Sequence, residues 1–263
     1  MLRIENITKT FDANTINEKK ALDNISLTIN DGDFVCVIGS NGAGKSTLLN
    51  AIAGVFYVNE GKIYINDNDV TFVPEYKRAS YIGRVFQDPR IGTASDMWIE
   101  ENLALASRRG NKRGLGKGIN DDERKKYFDI LKNIDLGLEN RMNNKVGLLS
   151  GGQRQALTLL MATINKPDLL LLDEHTAALD PKTAYKVLEL TNMIVTENKL
   201  TTFMVTHNMK DAIKYGNRLI MMDNGHIIYD VSGKEKENLN VNDLLSKFEK
   251  IGGVVNDDMI LSK

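Results

Sequence analysis

The stretch Gly39-Ser40-Asn41-Gly42-Ala43-Gly44-Lys45-Ser46-Thr47 constrains this chain more than any other. It follows an apolar run, Phe34 to Ile38, and leads into a helical pattern. Strand, glycine-rich turn and helix in that order form a phosphate cradle. The glycines let successive backbone N–H groups turn inward around an anion, and the helix points its positive end at the same place. The spacing is Gly, four residues, Gly-Lys-Ser, which brings Lys45 within reach of β- and γ-phosphates and puts the Ser46 hydroxyl on Mg²⁺. A flexible Gly/Ser loop has no need of Lys-Ser in register between a strand and a helix.

The rest of the chain reads as the body that holds this loop. Leu2, Ile4 and Ile7, then Ile25, Leu27 and Ile29 at period two, predict an antiparallel entry sheet before the turn at Asn30 to Asp33. Phe11 falls in the polar connection between those strands, either to stack on an adenine ring or to anchor a loop. Thr47 to Ala53 reads as a core-facing helix stopped by Gly54, and Gly61 to Asn66 as a further strand. From about Asp88 to Lys166 the strand signals fade. Runs such as Trp98 to Arg108 and Glu123 to Ile134 predict an inserted helical segment. Between those runs, residues 108–118 form a basic, glycine-rich loop that would either contact RNA or lipid headgroups or simply be solvated. Asp168 to Asp173, Thr202 to Thr206 and Leu219 to Met222 are apolar on both faces, which predicts a mainly parallel sheet covered by helices on both sides. One of those helices begins after Asp180-Pro181.

A formal net charge of −1 gives no general attraction to nucleic acid or to an anionic membrane. The single cysteine, Cys36, reads as a buried strand residue. No window reaches the roughly 18 to 20 apolar residues of a membrane span, and the first residues show no secretory pattern, so a cytoplasmic chain is expected.

The chemistry-bearing residues collect at predicted strand ends. Asp173 and Glu174 follow the run from Leu169 and stand at the edge where open α/β sheets bind ligands. Asp173 can hold a Mg²⁺ shell, and Glu174, one residue further out, can polarise a water for in-line attack on a γ-phosphate. His207, after Thr206, is either a satisfied loop residue or a γ-phosphate sensor. Gln87 is either a surface amide or a ligand for Mg²⁺ and the attacking water. Leu149-Ser150-Gly151-Gly152-Gln153 opens another apolar helix and makes a second anion-binding N-terminus. Two cradles for one γ-phosphate are reconciled by a head-to-tail dimer, each chain closing the other's nucleotide.

At these residues the chain resembles the ATP-binding cassette (ABC) ATPases, the nucleotide-binding subunits of ABC transporters. The resemblance covers about residues 1–230, with the motifs in the family's order. Gly39 to Thr47 resembles the Walker A loop, Gln87 the Q-loop glutamine and Leu149 to Gln153 the signature. Leu169 to Asp173 resembles the Walker B strand, Glu174 the catalytic glutamate, Ala178-Leu179-Asp180 the D-loop and His207 the switch histidine. The resemblance implies a P-loop NTPase fold with an antiparallel β subdomain and a helical signature subdomain inserted at about 88–166. A short C-terminal tail, 231–263, would carry an amphipathic stretch from Val241 to Ile251. It implies ATP and Mg²⁺ as ligands, catalytic roles for Glu174, His207, Gln87 and Lys45, and Ser46, Gln87 and Asp173 around the metal. The nucleotide would touch Phe11, Gly39 to Thr47, Ser150, Gly151, Gly152, Gln153 and Asp180.

Two departures from the family pattern stand out. His175 occupies the usual proline position, a change expected to loosen the turn beside Glu174, and the connection from Asp12 to Lys20 is longer than usual. The Glu100 to Ala106 stretch and the basic loop after it resemble a bacterial importer ATPase. Such a subunit pairs with a copy of itself or a related ABC subunit, with an integral membrane permease on the cytoplasmic face, and with a substrate-binding protein for an amino-acid-type solute. An exporter subunit or an iron–sulfur assembly ATPase would share the same motifs. Trp98, the only tryptophan, is either an anchor for the permease or a core residue of the helical segment.

Overall fold

The computed structural model describes residues 1–111, 114 and 118–250. Parts of the basic loop (Lys112, Arg113, Leu115, Gly116 and Lys117) and the tail from Ile251 onward lie outside the described residues.

In chain order the first elements are β1 (Leu2–Phe11), β2 (Lys19–Ile29), β3 (Phe34–Gly39), α1 (Lys45–Ala53), β4 (Glu60–Ile65), β5 (Asn68–Asp69) and α2 (Glu75–Arg78). They are followed by β6 (Ile82–Val85), α3 (Ile99–Ser107), α4 (Asp121–Lys132), α5 (Gly151–Thr163), β7 (Leu169–Asp173) and α6 (Pro181–Asn198). The last are β8 (Thr202–Val205), α7 (Met209–Lys214), β9 (Arg218–Asp223), β10 (His226–Ser232), α8 (Gly233–Glu237) and α9 (Val241–Lys250). The chain separates into two compact units, one formed by Met1–Arg78 with the chain from Lys199 onward, the other by Ala79–Asn198.

In the first unit, β3 is flanked in parallel by β8 and β9, and β10 pairs antiparallel with β9. Every residue of β3 and β8 is buried, as continuous apolar strands covered on both faces require. Cys36 lies within β3 with no exposure, and its Sγ is 3.2 Å from the Tyr215 carbonyl oxygen. Burial pushes its thiol up to about 12, so it packs as a small hydrophobe. A separate antiparallel sheet runs β2-β1-β4-β5, the entry sheet expected from the alternation of Ile25, Leu27 and Ile29. Phe11 departs from expectation: it is the last residue of β1, opposite Lys19, and the connection proper is only 12–18. The tail helix α9 buries Leu244 and Phe248, the apolar side of the expected amphipathic stretch.

The same unit contains a buried cation that charge patterning does not reveal. Arg78 has no exposed surface. Its guanidinium donates to the carbonyls of Ala51 and Ile52 at the end of α1, at 2.9 and 2.7 Å, and to those of Val70, Thr71 and Val73. Gly54, in the left-handed region at φ 82, makes room for it, because a Cβ there would lie 2.7 Å from Arg78 Nε.

In the second unit, β6 and β7 pair in parallel. Helices α3, α4 and α5 supply the expected helical segment. Helix α4 spans Asp121–Lys132 where Glu123 to Ile134 was expected. The reason is a capping box: the Asn120 side chain accepts from the Glu123 N–H and the Glu123 carboxylate accepts from the Asn120 N–H, so Glu123 is the third helical residue. Trp98 precedes α3 with 44% of its surface exposed, so it is not a core tryptophan.

Candidate functional site

The cradle in the first unit is built by β3 running into α1. A Cβ on Gly39 would stand 2.2 Å from the Met222 carbonyl oxygen of β9, so the chain can turn here only without a side chain. Gly44 caps α1 at φ 100 with no side-chain cap, and the first turn of α1 contains no acidic residue. The first-turn amides of a helix have no intrahelical acceptor. With no carboxylate or hydroxyl supplied at the cap, this N-terminus suits an external anion. Lys45, almost fully buried, folds back to donate to the carbonyls of Gly39 at 2.7 Å and Ser40 at 3.0 Å. Its ammonium therefore stands inside the loop, where a phosphate oxygen would replace those carbonyls. Ser40 Oγ donates to Asp223 Oδ1 at 3.0 Å, and the Ala43 carbonyl accepts from the Gly225 N–H, tying the loop to the β9–β10 turn. Asn41, Gly42 and Ser46 are exposed, and Thr47 is half-buried.

Two further expected residues lie in this unit. His207 follows β8, half-buried, behind Thr206, whose N–H donates to the Val37 carbonyl beside the loop strand. Burial raises the Asp211 carboxyl above its usual range, against the opposing pull of Lys214 and His207. Phe11 packs edge-on against Phe56 with ring centroids 5.2 Å apart, and Lys9 Nζ stands 5.1 Å from its centroid.

The second unit carries the remaining residues. Gln87 is exposed, just past β6, and the Phe86 carbonyl before it is fixed by Gln155 Nε2 at 3.1 Å from within α5. Asp173 ends β7, with Arg84 Nη2 3.8 Å from its Oδ2. Glu174 has φ 44, an uncommon conformation for a residue with a side chain, and its carbonyl accepts from the Ala177 N–H at 2.9 Å. His175 does not loosen this turn. It is buried, and its Nε2 is 3.0 Å from Thr191 Oγ1 of α6, so it pins the chain after Glu174 to that helix. Burial lowers its imidazole to about 4, leaving it neutral at neutral pH.

Ser150 caps α5: its Oγ accepts from the Gln153 N–H and the Gln153 side chain accepts from the Ser150 N–H, both at 3.3 Å. Gly152 is buried against the first turn of α6, where a Cβ would come within 2.1 Å of Thr183 Cγ2. The cap of α6 is Asp180, whose Oδ1 accepts from the Thr183 N–H. The Thr183 hydroxyl and then its N–H hold the Asp180 carboxyl below its usual range. Signature and D-loop thus meet through Thr183, which no sequence signal marks. A cavity of about 570 Å³ opens beside them, lined by Ser150, Gly152, Gln153, Thr183, Tyr185 and Met193 among others.

Strand, glycine loop and helix define a P-loop nucleotide-binding α/β protein. Residues 22–177 match the ABC transporter family. The chain is 47% identical over 249 residues to a tyrosine transport ATP-binding protein of Clostridioides difficile, covering 95% of this chain and 99% of that one. It is 32% identical to a spermidine/putrescine import ATP-binding protein of Haemophilus influenzae, over 89% of this chain but only 59% of that relative. Among solved structures, it is similar to an ATP-binding cassette dimer in a post-hydrolysis state bound to ADP and Pi. The TM-score is 0.75 at 32% identity, over 88% of this chain and 98% of that one. A second cassette, in its ADP conformation, has a TM-score of 0.76 at 30% identity, over 96% of this chain and 97% of that one. The chain therefore belongs to the ATP-binding subunits of ABC transporters and is an ABC ATPase.

Proposed function

We propose that this chain is the ATP-hydrolysing subunit of a bacterial importer for an amino acid, with tyrosine as the solute to test first. The observation that carries this reading is the 47% identity along nearly the whole length of the tyrosine transport relative. The solute itself would pass through a separate integral membrane permease. No helix among the described residues is long and apolar enough to cross a membrane. In this reading the chain works on the cytoplasmic face, a substrate-binding protein delivers the solute, and Trp98, exposed at the start of α3, is available to a permease segment. Residues 1–230 would form the ATPase body, with 88–166 its inserted helical part.

Within the site, the loop amides from Asn41 to Thr47 and Lys45 hold the phosphates of ATP, and Phe11 stacks on the adenine. Ser46, Asp173 and Gln87 supply one hydroxyl, one carboxylate and one amide oxygen. So sparse a hard-oxygen set fits Mg²⁺, which keeps waters and takes its other ligands from phosphates. When bound, the ion neutralises charge developing on the phosphates. Glu174 accepts the proton of the attacking water, and Gln87 and His207 position that water and the γ-phosphate. Ser150, Gly151, Gly152 and Gln153 reach the nucleotide of a second, identical or related subunit, with Asp180 beside them, so ATP closes the dimer and hydrolysis opens it.

Affinity purification from solubilised membranes should recover the chain with a polytopic permease, and deletion of its gene should abolish tyrosine uptake. Recovery with soluble assembly factors alone would overturn transport. Ser150→Arg should lower ATP-dependent dimerisation by at least tenfold, while binding of ATP to the monomer stays within about twofold of wild type. Equal loss of both would show that the second cradle does not act across a dimer.

A further inference from the structure

We propose that Lys19 is a phosphate-binding residue of this chain, a cation that holds the polyphosphate of the nucleotide between Phe11 and Gly42. The proposal rests on the assignment of Gly39 to Thr47 as the cradle. Lys19 opens β2 directly after the connection 12–18, and its position is defined from two sides. Across the strands it is the register partner of Phe11, so the two side chains project from the same face of the sheet. On the loop side, a methyl placed on Gly42 would lie 3.6 Å from Lys19 Nζ, the nearest group it would meet. Lys19 thus spans the distance between the ring proposed for the base and the exposed crown of the phosphate loop.

Its charge is uncommitted in a way that its neighbours' charges are not. Lys20 Nζ pairs with Asp23 Oδ1 at 2.6 Å. Lys9 Nζ donates to the Tyr57 carbonyl and leans over the rings of Phe11 and Phe56. Lys45 is folded onto the carbonyls of Gly39 and Ser40. Among the described residues no carboxylate pairs with Lys19, and its side chain is exposed beside Gly42. An ammonium about 4 Å from a phosphate charge strengthens binding by about fivefold even when fully screened by water.

Calorimetric titration with ADP tests this at low and at high salt. Lys19→Gln should weaken binding by about fivefold at low salt, and the gap should shrink at high salt, as screening of an exposed pair demands. Lys19→Arg should restore wild-type affinity, and Lys20→Gln should bind as wild type. The proposal fails if Lys19→Gln binds as wild type, if its loss is independent of salt, if Arg does not rescue it, or if Lys20→Gln is equally weakened. Failure of the wild type itself to bind ADP would instead remove the cradle assignment, and this proposal with it.

Discussion

Glu174→Gln is expected to bind ATP as tightly as wild type while turnover falls by about 10²- to 10⁴-fold, the range supplied by a positioned general base. The side chain changes by one atom, so sterics and the backbone at φ 44 are preserved and only the proton acceptor is lost. Its place directly after Asp173, together with that backbone, is the reason to single the residue out. A non-glycine residue in the left-handed region costs of order 1 kcal/mol or more, and it persists only when its surroundings over-determine it. They do so here: β7 fixes Asp173, the Ala177 N–H closes the turn on the Glu174 carbonyl, and buried His175 is held by Thr191. Ten other described non-glycine residues also have positive φ; Glu174 is the one among them that follows Asp173 at the end of β7. Single-turnover hydrolysis and size-exclusion chromatography in ATP provide the check. The variant should collect as an ATP-bound dimer, and hydrolysis at the wild-type rate would remove Glu174 from its role.

The signals that were legible in the sequence are local ones. The loop Gly39 to Thr47 is read from glycine geometry and one helix N-terminus, and α1 ends at Gly54 as its left-handed cap dictates. The strands β7, β8 and β9 declare themselves by apolar runs too short for helices. The start of α6 follows from Asp180 and Pro181. What escaped depends on partners far away in the chain. A buried arginine such as Arg78 cannot be told from a surface one, because charged residues are almost never fully buried unless paired, and its carbonyl partners leave no mark in the sequence. The same holds for Lys236, buried with its Nζ on the carbonyls of Ile213, Tyr215 and Gly216. His175 departs from the family pattern, and the Thr191 hydroxyl that holds it lies 16 residues further along the chain, in α6. Helix α4 starts at Asp121, two residues ahead of the apolar period, because the Asn120–Glu123 capping box sets its first turn. Phe11 reads as a loop residue because nothing local shows that β1 continues to meet Lys19.

Arg78→Ala should cost about 3–5 kcal/mol of stability, the largest loss expected from any single side chain away from the phosphate loop. The guanidinium donates to five backbone carbonyls from three segments, the end of α1, the Val70–Thr71 turn and Val73. Removing it takes this donor from all five; the Ala51 and Val70 carbonyls keep the N–H groups of Gly54 and Val73, while those of Ile52, Thr71 and Val73 lose the bond it supplied, and an unsatisfied buried acceptor costs about 1–3 kcal/mol. It also removes a positive charge from the C-terminal end of α1, where the helix dipole favours one. The effect reaches the nucleotide because α1 is held at both ends, by the loop at Lys45 and by Arg78 at Ala51 and Ile52. Lys at position 78 keeps the charge but cannot fork to five carbonyls, so Arg78→Lys should recover less than half of the loss. Equilibrium urea unfolding followed by circular dichroism measures both variants. Saturating ADP should stabilise wild type and Arg78→Lys alike if the loop itself is intact. A loss below about 1 kcal/mol for Arg78→Ala would place it among ordinary surface substitutions and remove the anchor assigned to it here.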